Sequence, residues 1–211
     1  MNSNDLHELI KSKLEQEAGS NTYLKMCRTR LNTQAAQEAF DFTVRYLHNS
    51  VHLLDQVFET VKTANCLPMY EPIFDACFHY WDTEYDFIPD HRGIAGICDD
   101  AYLSMVLMQH VANAKGPAND GALMPGINRT LRRQNEMMAA LLGREMARQL
   151  NEVAAQTFQS IHLRQTMDDI FNAAVGGALF QGGALEVMGK ALEQNRIGEQ
   201  VNAQVGGEGI F

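Results

Sequence analysis

Residues 80–102 read YWDTEYDFIPDHRGIAGICDDAY, and their punctuation decides the fold. Ile88 precedes Pro89, and a residue before proline is pushed out of the helical region, so the chain breaks here. Asp86 lies where a carboxylate accepts backbone N–H bonds in a turn. Asp90 lies where one caps the helix that follows. An acid at a helix N-terminus also gains from the macrodipole. Before the break, Ile73, Phe74, Cys77, Phe78 and Trp81 recur at helical spacing, which predicts a helix over about 71–82 with Pro72 in its first turn. After it, a helix is predicted over about 94–113. Its AYLSMVLM run is apolar nearly all round, as in a helix at the centre of a bundle. The stretch is thus the turn of a helical hairpin, 69–113.

The flanks are helical too. Residues 4–18 carry Leu6, Ile10 and Leu14, with Asn4 or Asp5 as the cap, and a short helix is expected around Tyr23, Leu24, Cys27 and Leu31. Thr33 is the expected cap of a long helix over 34–64, whose stripe Phe40, Val44, Leu47, Val51, Leu54, Phe58 and Val61 steps by three or four. His48 and His52 share a face of it, but Asn49 stands where an HExxH motif needs Glu, and they read as a polar flank. Residues 115–126, KGPANDGALMPG, are a loop by every turn signal and the expected boundary between a 1–114 helical domain and a 127–192 helical region. That region holds an apolar seam through 127–175, expected as two helices broken near 160–164 or as a coiled-coil arm. It either completes the bundle or projects from it. Residues 193–211 are expected to be a flexible tail. Alternating β-branched runs are absent and all five prolines fall between 68 and 125, so the chain is predicted all-α.

Asp99 and Asp100 open the most apolar part of the 94–113 helix, inside which Asp is a mediocre residue. A carboxylate entering an apolar core must be hydrogen-bonded or paired. Two readings meet that demand. In one, Asp99 or Asp100 reaches back to staple the turn. In the other, Asp86, Asp90, Asp99 and Asp100, with His91 or His79, surround Mg²⁺, Mn²⁺ or Ca²⁺, whose hard character suits oxygen ligands. Capping and stapling account for each position without a cofactor.

The formal charge of −9 argues against nucleic-acid binding, which needs a basic surface. Arg129, Arg132, Arg133, Arg144 and Arg148 outnumber Glu136 and Glu145 locally, and read as a solvated face. No apolar run approaches the roughly 18–20 uncharged residues of a spanning helix. The N-terminus lacks the apolar core of a secretion signal, and Cys27, Cys66, Cys77 and Cys98 form no CxxC pair, so a reducing cytoplasm is expected.

Tyr80, Asp86-Phe87-Ile88-Pro89-Asp90, Gly96 and Asp99-Asp100 stand in one ungapped register. In that register the stretch resembles the YkvA-like domain family, over residues 70–110. The family's pattern is an aromatic-ended helix, Asp-Leu-Ile-Pro-Asp, a glycine and Asp-Asp. The resemblance implies a helical hairpin with Asp86, Pro89, Asp90, Gly96, Asp99 and Asp100 as its turn and capping residues, and it implies no reaction. Glu84 and Gly93 stand where the family has prolines, and His91 and Arg92 replace apolar residues. The turn is therefore more polar than the family's.

The expected function is a non-catalytic cytoplasmic interaction or assembly protein that self-associates. The grounds are 11 methionines, the helical seam and the want of a nucleophile–base arrangement. The alternatives are a divalent-metal-dependent hydrolase built on the acidic cluster and a peripheral membrane protein acting through residues 170–190, which the net charge disfavours.

Overall fold

The computed structural model describes residues 2–83, 87–114, 122–124 and 126–175, the side chains of 128 and 165–175 excepted. Seven α-helices follow in order among them: α1 (Ser3–Ser20), α2 (Thr22–Arg28), α3 (Thr33–Thr63), α4 (Leu67–Trp81), α5 (Cys98–Asn113), α6 (Asn128–Leu142) and α7 (Arg144–Val175). A 3₁₀ segment, Asp90–Ile97, leads into α5. The fold is an all-α bundle around a central helical hairpin.

Helix α5 is the axis. Thirteen of its sixteen residues are buried, including every one from Cys98 to Met108. A helix apolar all round needs partners all round, and α3, α4, α6 and the 3₁₀ segment supply them. Helix α3 is the longest wall. It buries a wider face than its stripe suggests, adding Tyr46, Ser50, Leu53 and Val57, because α1, α2, α4, α5 and α6 all pack against it.

Several helix ends differ from expectation. Asn2, not Asn4 or Asp5, caps α1, and Asp5 closes a capping box with it. Asn32, not Thr33, caps α3 by accepting from Ala35 N–H at 2.9 Å. Pro68 occupies the first turn of α4, and Pro72 lies within the helix.

The 127–175 seam breaks at Gly143, not near 160–164, and α7 runs unbroken through those residues. Gly143 has φ 94°, a left-handed conformation that L side chains rarely adopt, and its N–H closes α6 on Ala139 O at 3.0 Å. Residues 1–161 form one compact unit and 162–211 a second. The first unit includes α6 because Leu131 and Met138 are buried in the common core. Residues 127–161 therefore complete the bundle, and the boundary falls after 161 instead of in the 115–126 loop. The expected tail, 193–211, and the Gly-rich 176–189 stretch lie outside the described residues.

Candidate functional site

The acidic turn is built by close backbone approach. Gly93, with φ 71° and ψ −129°, turns the chain, and the following residues wind as 3₁₀ up to Ile97. A Cβ on Gly96 would lie 2.6 Å from Pro89 O and 2.7 Å from Asp90 Cα, so only glycine lets the segment lie against the turn. Arg92 N–H donates to Pro89 O at 2.9 Å and closes the first loop of the segment.

This winding moves the start of α5. The helix begins at Cys98, not Ile94, so Asp99 and Asp100 occupy its first turn and not its interior. There the unpaired N–H groups and the dipole favour carboxylates, which answers the low propensity of Asp. Both side chains are fully buried. Asp99 Oδ2 accepts Ile88 N–H at 3.0 Å and joins the head of α5 to the residue before Pro89. Asp90 is not the helix cap expected of it. Pro89 holds the N-cap position of the segment, and Asp90 lies in its first turn. The backbone carbonyl of Asp90 accepts Lys13 Nζ at 2.7 Å, which ties α1 to the turn. Asp86 lies outside the described residues, and His91 is exposed.

Among the described residues, no three His, Cys, Asp or Glu side chains gather as a metal ion requires. The four-aspartate set includes Asp86 and so extends beyond those residues. The His52 ring tilts against His7 of α1 at 5.4 Å.

Cys98 is buried beside the two aspartates. Burial first, then the charges of Asp99 and Asp100, push its thiol well above the ordinary range, and burial pushes the Cys77 thiol up to about 12. Neither is poised as a thiolate nucleophile. All four cysteines are free and buried.

Three polar arrangements remote in sequence complete the scaffold. Glu17, buried at the end of α1, accepts Tyr23 N–H at 3.0 Å and Leu24 N–H at 3.1 Å, and so caps α2 from the preceding helix. Its signal was its place in the Leu6, Ile10 series, where a carboxylate is out of character. Tyr46 O–H donates to Asn135 Oδ1 at 2.8 Å, and Asn135 Nδ2 donates to Gln109 Oε1 at 2.9 Å, linking α3, α6 and α5. Asn135 stands in the apolar seam between Leu131 and Met138, which marks it as buried. Trp81 Nε1 donates to Ser104 Oγ at 2.9 Å and locks the end of α4 to α5. No single-chain pattern pairs those two residues.

The basic residues lie on the outer faces of α6 and α7. Arg132 pairs with Glu136 at 2.9 Å, and Arg148 pairs with Glu145 at 2.6 Å and with Glu152, all exposed. Arg129, Arg133 and Arg144 are exposed as well. Between the two helices runs an open groove of about 790 Å³. Ala139, Ala140, Ala147 and Ala155 line it with Arg144, Arg148, Asn151 and Glu152.

No protein-family model, curated protein or solved structure matches the chain. No described helix is long and apolar enough to cross a membrane, and most of residues 170–190, the membrane-contact alternative, fall outside the described part.

Proposed function

We propose that this chain is a non-catalytic interaction or assembly protein that works by self-association. The observation that carries the reading is on α6. While Leu131, Asn135 and Met138 face the core, Met137 and Leu141 lie on a separate face in solvent, 46% and 37% exposed. Two large apolar residues four apart form one turn of a helix–helix seam. Methionine suits such a surface because its flexible thioether adapts to a partner.

The hairpin is the rigid frame behind that face, in keeping with the YkvA-like resemblance. The Pro89–Gly96 approach and the Asp99 bond to Ile88 hold α5 in register, and α5 carries α6. Four free, buried thiols support a reducing compartment such as the cytoplasm.

Light scattering on the eluting protein over a range of concentrations tests the reading. A mass above the 23.6 kDa of one chain is expected. A monomer at every concentration that also retains no partner protein overturns it.

A further inference from the structure

The α6–α7 groove has the features of a surface that meets a second copy of itself. Ala139, Ala140, Ala147 and Ala155 line it, which lets another helix come close. Small residues alone would fit many occupants. The rim is more selective, because it carries both signs of charge. Arg144 and Glu152 both line the groove on α7, eight residues and hence about 12 Å apart along the axis. Arg148, between them, is already held by Glu145 and Glu152. Arg144 has no carboxylate partner among the described residues.

We infer that the groove is an isologous interface, in which α7 of one copy lies antiparallel against α7 of another and Arg144 of each meets Glu152 of its partner. A twofold contact needs a self-complementary patch, and a cation and an anion on one face satisfy that in the antiparallel sense only. In a parallel pairing Arg144 would meet Arg144 and Glu152 would meet Glu152, whereas in the antiparallel one only Arg148 meets its own copy, with its charge offset by Glu145 and Glu152. An acidic ligand would find Glu152 in its way. Nucleic acid would meet that carboxylate and a chain of net charge −9. This inference deepens the self-association reading and rests on it.

Charge exchange tests it. Light scattering and sedimentation are run on the full chain, on Arg144→Glu, on Glu152→Arg and on the double variant, with circular dichroism as the check on folding. All these positions are exposed, so helicity should not change. Wild type is expected to be a dimer that loosens as salt rises. Each single exchange should raise the dissociation constant on the order of tenfold or more, and the double exchange, which restores opposite charges, should recover most of the loss. An oligomer that none of the exchanges weakens overturns the interface and leaves self-association standing. A wild-type chain that is monomeric throughout overturns both. Saturable binding of an acidic peptide or a DNA oligonucleotide to a monomer, lost in Arg144→Glu, overturns the second copy as occupant.

Discussion

Gly96 and Asp99 hold the turn by opposite means, one by lacking a side chain and the other by burying a charged one. Adding a methyl at 96 sets it against backbone that cannot swing aside, at 2.6 and 2.7 Å. Gly96→Ala should therefore cost about 1–3 kcal/mol, as overpacking does, seen as a lower denaturant midpoint with an unchanged slope. Gly19 is the control. It lies in α1 with nothing within 4 Å of a Cβ, and Gly19→Ala should be neutral or add about 0.5–1 kcal/mol through helix propensity. Asp99→Ala leaves the part-buried Ile88 N–H without its acceptor and should cost about 1–3 kcal/mol. The metal alternative is separated in the same melts. If Asp99 serves the turn, Mn²⁺ and chelator leave the melting temperature of wild type unchanged, whereas a Mn²⁺-dependent rise abolished by Asp99→Asn would restore the hydrolase reading.

Helix ends, more than helix interiors, depend on contacts between elements. Removing the carboxylate in Glu17→Ala takes two acceptors from the start of α2 and should destabilise by about 0.5–2 kcal/mol, the range of a lost cap. Amide exchange should then rise first at Tyr23 and Leu24. At the far end of α5, His110 stacks on Phe158 of α7 at 5.2 Å, and burial lowers its pKa from the usual 6.5. Between the lowered folded value and 6.5 the unfolded chain binds more protons, so stability rises with pH in that window. The α5–α7 packing is thus at full strength above about pH 6.5 and weakens as the solution is acidified. His110→Phe should flatten that part of the pH profile, measured by urea unfolding at a series of pH values.

At the scale of the molecule, self-association makes stability depend on protein concentration, because anything that binds the folded chain alone shifts unfolding by mass action. The melting temperature should rise as the protein is concentrated, and in Arg144→Glu the rise should shift to higher concentration. The all-α bundle was legible throughout. The α3 stripe and the all-round apolar AYLSMVLM run mark a wall and an axis before any coordinate is known, and Ile88-Pro89 marks the turn between α4 and α5. The boundary was less legible. The 115–126 loop looks like a domain edge from composition, yet α6 returns beyond it to bury Leu131 and Met138. Loop chemistry says that a chain turns and is silent on where it goes next.

The sequence by itself determined the helices, their buried stripes and the break before Pro89, because these follow from local periodicity and from the sterics of a single proline ring. Only the tertiary structure decided that residues 90–97 wind as 3₁₀, that α5 therefore starts at Cys98, and that Asp99 and Asp100 stand at a helix head instead of inside a helix. It also decided that Glu17 caps a neighbouring helix, that Tyr46, Asn135 and Gln109 meet, and that Gly143 is the hinge of the α6–α7 seam. Most of these are distances between segments far apart in the chain. The winding and the hinge are choices that a glycine leaves open, and packing closes them.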